Sequence, residues 1–244
     1  MANLTRNLNI LIWGIVVAVT QAVSQPQSES LTVRFTVFSA TTVEPLVFFQ
    51  NGKLPPKSLT FYTVQRSLSF DYRGSSDLNF YDPASLAEAE RRIDGSLILP
   101  EPIAVARVPS SMSEILLLFS PPITEASGRR YQVTVLDDSV SGLPRSTVRF
   151  VNTTDRRYRA TLEDGRVINL PNGTSSPIKV LGSVKIALEV QFHEQWIRSG
   201  DSELLVGSDD RTWAILSPPR RATQLIPQIR LLRDLKKSAP VPSV

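Results

Sequence analysis

The chain has 244 residues, a formal charge of +4 and no cysteine. It therefore offers no thiol nucleophile, no thiolate metal site and no disulfide, and with His193 as its one histidine it offers no multi-histidine metal site. So small a charge over this length is a thin field for a polyanion, and nucleic acid is not an expected partner.

The N-terminus reads as a secretory signal. Arg6 is followed by an apolar run from Ile10 to Val19 and then by Ala22-Val23-Ser24, with small residues where a signal peptidase reads. The run is about half of the roughly 20 residues that span a bilayer. Cleavage near Ser24 is expected, leaving no transmembrane segment. No Cys follows the run, which excludes a lipidated N-terminus. Cleavage removes 24 of the 244 residues and leaves 220, with a formal charge of +3 because Arg6 is the one charged residue lost. A chain of that size buries about 70% of its unfolded surface and needs no covalent staples. Secreted eukaryotic domains often carry disulfides, so their absence points to an exported bacterial protein, periplasmic or extracellular.

Beyond the signal, Leu31–Val37 alternates and places Leu31, Val33, Phe35 and Val37 on one face of a strand. Asn51-Gly52 marks a tight hairpin, Pro55-Pro56 a turn, and Leu59–Val64 a further strand. One helix is expected, with Asp82 as cap, Pro83 at its first position and Ala84–Arg92 continuing it to a stop before Gly95. Ile103–Val108 reads as a strand. Ile115–Phe119 is apolar without alternation, which predicts a strand covered on both faces. Tyr131–Leu136, Trp213–Leu216 and Ile229–Leu232 are further strands. Val184–Phe192 alternates strongly, with Lys185, Glu189 and Gln191 toward water.

Many short strands separated by turns predict an all-β fold of antiparallel β-sandwich type. The stretch Pro121–Arg130, PPITEASGRR, is the natural boundary between two immunoglobulin-like lobes, residues 25–125 and 126–235. Residues 236–244 form a tail expected to be disordered. Each half carries a hairpin signal and a Pro-containing turn, which is too little to establish a repeat.

The richest stretch is STVRFVNTTDRRYRATLEDGRVINL, residues 146–170. Its alternation predicts a three-strand meander turned by Asp164-Gly165, with a cationic loop at residues 152–157. The Asn-x-Thr triplets at Asn152 and Asn172 matter as glycan acceptors mainly in a eukaryotic secretory pathway.

No catalytic residue, metal or cofactor is expected. There is no Gly-x-Ser-x-Gly elbow to serve a triad built on His193, which reads as a solvent-facing strand end. Asp137-Asp138 and Asp209-Asp210 lie where strands meet turns and read as turn stabilisers, without the spacing of a calcium loop. RGSSDL lacks the lysine and spacing of a phosphate loop. Four arginine pairs punctuate the chain, Arg91-Arg92, Arg129-Arg130, Arg156-Arg157 and Arg220-Arg221. Trp213, within TWAIL, reads as core. The candidates for ligand contact are Arg156 and Arg157 in the cationic loop and Trp196, which follows the strongest strand.

The segments PLVFFQNGK, LLLFSPP, VTVLDDS and RFVNTTDRRYRATLEDG resemble those of uncharacterised exported all-β proteins of Gram-negative bacteria, a resemblance that carries no activity with it. Size, charge and two-lobed layout are similar in architecture to periplasmic pilus-assembly chaperones, which bind subunits at a strand edge. The expected function is a non-enzymatic exported protein that acts through protein contacts in the cell envelope. The alternatives are a chaperone or assembly factor, a carbohydrate- or cell-wall-binding module, and a hydrolase working through paired carboxylates.

Overall fold

The structure, a computed structural model, describes residues 30–51, 55–89, 98–122, 128–180, 182–221 and 223–234. The expected signal, the C-terminal tail and Arg91-Arg92 lie outside the described residues. In the first half, chain order gives β1 (Leu31–Ser39), β2 (Val47–Phe48), β3 (Lys57–Ser58), β4 (Phe70–Gly74), β5 (Asp77–Phe80), α1 (Pro83–Ala87), β6 (Ala104–Arg107), β7 (Glu114–Ser120) and β8 (Gln132–Asp137). The second half holds β9 (Thr147–Asn152), β10 (Tyr158–Leu162), β11 (Val167–Leu170), β12 (Gly173–Thr174), β13 (Ile178–Lys179), β14 (Gly182–Phe192), β15 (Gln195–Val206), β16 (Arg211–Ser217) and β17 (Gln228–Arg233). The all-β expectation holds, and no sheet closes into a barrel among the described residues.

Three cores organise these strands. The sheet β4-β1-β7-β8 packs one face against the hairpins β2–β3 and β5–β6. Phenylalanines fill that space, with Phe35 edge-on to Phe48 at 5.1 Å and Phe80 edge-on to Phe119 at 5.1 Å. In the second half, the sheet β12-β9-β16-β17 packs against the sheet β11-β10-β14-β15 around Phe150, Tyr158, Leu188 and Leu216. A third core joins the halves, where β7 and β16 present Leu116, Leu118, Trp213 and Ile215 to one another. Ile115, Leu117 and Phe119 face the first core while Leu116 and Leu118 face the third, so β7 is covered on both faces, as its unbroken apolar run implies.

The second half repeats the first. β1 runs parallel to β7, pairing Phe38 with Leu118 and Ser39 with Phe119. β9 runs parallel to β16, pairing Val151 with Ile215 and Asn152 with Leu216. Each partner then turns back through Ser-Pro-Pro. Ser120-Pro121-Pro122 leads to β8, where Ser120 faces Gln132, and Ser217-Pro218-Pro219 leads to β17, where Ser217 faces Gln228. The far ends match too: Asp138 N donates to Glu114 O at 3.0 Å, and Asp234 N to Arg211 O at 2.9 Å. Equivalent residues of the two halves share the central core: Phe38 and Val151, Leu116 and Trp213, Leu118 and Ile215, and Leu136 and Leu232. One surface thus serves on both sides, as at an isologous dimer interface.

A buried polar knot closes the end of this interface away from the Ser-Pro-Pro turns. The Asp138 carboxylate accepts from Arg66 Nη1 at 2.5 Å and from Trp213 Nε1 at 2.8 Å. Arg66 Nη2 also reaches Leu232 O at 3.3 Å, and Arg211, which pairs with Asp234, donates to Asp138 O. Asp138 is therefore a tertiary tie, not the turn stabiliser its sequence context suggests. Asp137 and Asp210 do take turn roles, accepting from Ser139 N at 3.0 Å and Gly207 N at 3.0 Å.

Several local expectations need correction. The antiparallel rule fails at β1–β7 and β9–β16, which are parallel; alternation assigns a strand its buried face but not its neighbour. Leu59–Val64 is not a strand: Leu59 is buried, yet Tyr62 and Val64 are exposed and the segment joins no ladder. The helix has the expected Asp82 cap, whose Oδ1 accepts from Ala84 N at 3.2 Å, but it ends at Ala87, and residues 90–97 lie outside the described set. The expected meander is a hairpin plus a crossing. β10 pairs with β11, turned at Asp164-Gly165 with Gly165 at φ +83°, whereas β9 belongs to the facing sheet. Asn152 directs that crossing, since its Nδ2 donates to Arg156 O at 2.7 Å and Leu170 O at 3.0 Å while its Oδ1 accepts from Thr154 N. Asn152 is 1% exposed, which removes it as a glycan acceptor in the folded protein.

Candidate functional site

Two surfaces stand out once the strands are in place. The first is the outer face of the sheet β11-β10-β14-β15. Successive residues on a strand alternate faces, so Tyr158, Ala160, Leu188 and Val190 enter the core while their neighbours face outward. Register then assembles two outward rows. Arg157 lies beside Gln191, whose N–H donates to Arg157 O at 2.9 Å, and Gln191 pairs with Trp196. Arg159 pairs with Glu189, which pairs with Arg198.

Arg159 binds Glu189 through both arms, Nε to Oε2 at 2.6 Å and Nη2 to Oε1 at 2.9 Å. This hydrogen bond holds the Glu189 carboxyl below the usual carboxylate range. The Arg159 guanidinium also covers the Trp196 ring at 4.6 Å, a cation–π contact that holds the indole in a half-buried pose. Arg157 is exposed and forms no salt bridge among the described residues.

The adjoining hairpin tip exposes apolar side chains on the opposite face of the sheet, since Ile197 pairs with core-facing Val190 and Phe192 follows Val190 by two residues. Phe192 is 50% exposed and Ile197 37% exposed. His193 and Glu194 form the two-residue turn with φ +45° and +64°, values natural to Asn-Gly and strained for these side chains. His193 is exposed, as expected, with Phe192 edge-on to it at 4.2 Å.

Of the three candidates read from the sequence, the fold unites Arg157 and Trp196 and separates Arg156. Arg156 turns away and donates to Gln224 O at 2.9 Å in the segment before β17. Trp213 is fully buried at the joint between the halves, as its context implies. Arg159, Glu189 and Gln191 were missed as site residues because β15 was not legible. Gly200, Asp201 and the serines in QWIRSGDSELLV look like loop chemistry, and the His-Glu turn carries no hairpin signature.

The second surface is a cleft of about 450 Å³ where the two Ser-Pro-Pro turns meet. Its walls include equivalent residues from both halves, Ala40 and Thr153, Pro121 and Pro218, Gln132 and Gln228. Arg220 is the one charged residue among its described lining. Arg129 instead borders a shallow groove along β8 with Arg107, and Arg130 pairs with Glu44 at 2.6 Å, so the arginine pairs do not converge. Among the described residues no group of three or more His, Asp or Glu side chains is placed to hold a metal.

No family model matches the chain, and no curated protein matches it either.

Proposed function

We propose that the chain is an exported protein whose two halves are immunoglobulin-like lobes, and that it acts without catalysis by binding another protein of the bacterial cell envelope. The observation that carries this reading is the outer face of the sheet, where exposed Arg157 lies beside Trp196, whose ring is covered by the Arg159 guanidinium. Trp and Arg side chains at one spot are the composition of binding hot spots. Export is supported by the signal-like N-terminus, and a bacterial rather than a eukaryotic secretory context by the absence of cysteine.

The test has two arms. Expressed in a Gram-negative host, the protein is recovered from the periplasm with Gln25 as its first residue. Immobilised wild type then retains a discrete envelope protein that Trp196→Ala and Arg157→Glu variants do not. Retention of the same protein by wild type and both variants would remove this surface from the reading.

The chaperone reading draws some support from β17, whose outer edge has no ladder partner among the described residues. It is the weaker reading, because the adjacent cleft carries one cation among its described lining residues. The glycan reading is left with one half-buried indole whose ring is partly covered by Arg159.

A further inference from the structure

We propose that the free edge of β17 takes up an extended polypeptide segment in which apolar and acidic residues alternate, on a surface separate from the outer sheet and independent of that reading. The internal repeat shows the place. β14-β15-β16-β17 correspond in chain order to β5-β6-β7-β8, so β15 and β17 stand where β6 and β8 do. In the first half these two strands are tied, since Ile103 O, just before β6, accepts from Arg130 N at 2.9 Å and from Tyr131 N at 3.3 Å. In the second half Pro227 takes the place of Tyr131 and has no N–H to give. Ile226, in the place of Arg130, makes no such bond among the described residues. It lies instead over Gly200, 3.3 Å from where a β-carbon would sit, and stays 55% exposed. β15 and β17 form no ladder with each other.

Register says which groups the edge leaves free. Asp234 N donates to Arg211 O, and Leu216 O accepts from Thr153 N on the β9 side. Bonded pairs alternate along an antiparallel ladder. Gln228, Arg230 and Leu232 therefore bond β16, while the N–H and C=O groups of Ile229 and Leu231 point outward and make no hydrogen bond among the described residues. The side chains set the partner's chemistry. Ile229 and Leu231 pack on the second core yet are only half-buried, which leaves apolar surface for a neighbouring strand. Arg230 points to the other face, half-buried, and forms no salt bridge among the described residues. An acidic residue directly across from it supplies the counterion. A second copy is a poor occupant, because two antiparallel β17 strands centred on this position set Arg230 against itself. The ladder gives affinity, and the Ile-Arg-Leu alternation of β17 selects the segment.

The experiment titrates the full chain with acetyl-Thr-Val-Glu-Val-Glu-Val-Thr-amide, read by amide NMR and hydrogen exchange. Two further peptides serve as comparisons, one with both Glu replaced by Lys and one with the central Val replaced by Pro. Saturable binding of the acidic peptide is expected, with exchange at Ile229 and Leu231 slowed at least about tenfold and the Val133 and Val135 amides of the tied first half unchanged. The Lys peptide should bind at least about fivefold more weakly, and the Pro peptide should not bind. Arg230→Glu should reverse the order and favour the Lys peptide, a gain that a misfolded variant does not give. Absence of saturation, equal affinity for the acidic and Lys peptides, an unchanged order in Arg230→Glu, or slowed exchange confined to other amides would each overturn the proposal. Protection of Ile229 and Leu231 before any peptide is added would also overturn it, because the edge would already be paired. Because Trp196→Ala is expected to leave peptide binding unchanged, failure here is distinguishable from failure of the outer-sheet reading.

Discussion

Replacing Asp138 with alanine removes one carboxylate that serves both halves. Arg66 and Asp138 have side chains 9% exposed, so the variant leaves a guanidinium buried without its counterion. Breaking a buried ion pair on one side costs about 3–5 kcal/mol. Trp213 Nε1 also loses its acceptor at 2.8 Å, worth about 1–3 kcal/mol for a buried donor. The two losses share one group and are not additive, which places the total at about 4–6 kcal/mol. Asp138→Asn keeps an oxygen for the indole and should lose less, about 3 kcal/mol, nearly all from the ion pair. With a urea slope of about 3 kcal/mol/M, the alanine variant's midpoint falls by about 1.5 M. Equilibrium urea unfolding followed by Trp213 fluorescence in a Trp196→Phe background reads this directly. Arg66→Met combined with Asp138→Asn should lose less than the sum of the single changes, by about 1–3 kcal/mol. A loss below about 1 kcal/mol for Asp138→Ala, with unchanged slope, would refute the claim that this knot ties the halves.

Other outcomes follow from the same geometry. Replacing His193-Glu194 with Asn-Gly puts turn residues where φ is positive and should raise stability by about 1–2 kcal/mol, measured as an increase in urea midpoint. Leu118→Ala and Ile215→Ala occupy equivalent places in the central core and should each cost about 2–5 kcal/mol in the same assay. Glu189 has a folded-state pKa below its unfolded value, so its pairing with Arg159 is complete at neutral pH and fades as pH falls through that lowered value. The Trp196 indole NMR signal should then move with a midpoint below the ordinary glutamate value of about 4.3, and should stay fixed in Glu189→Gln.

The fold was legible where one residue pattern had one structural answer. Alternation in Leu31–Val37 and Val184–Phe192 identified strands and their buried faces, and the unbroken run Ile115–Phe119 announced a strand with two covered faces. Partners were not legible, because period two says which face is buried and nothing about which strand lies alongside; the parallel pairs β1–β7 and β9–β16 were lost for that reason. The repeat escaped for another. Its signal lies in FSPP and LSPP and in the paired Gln132 and Gln228, while the loops between differ in length, so no single spacing aligns the halves. At the candidate site, Trp196 and Arg157 were singled out, but Arg159, Glu189 and Gln191 became site residues only once β15 fixed what lay opposite them.

The most direct test of the account places a photocrosslinking benzoylphenylalanine at Gln191, between Arg157 and Trp196, in the protein expressed in a Gram-negative host. One discrete adduct with an envelope protein is expected, lost when Trp196→Ala is added and absent when the probe sits at exposed Val140. No adduct at Gln191, or the same adduct from Val140, would contradict a partner-binding role for the outer sheet.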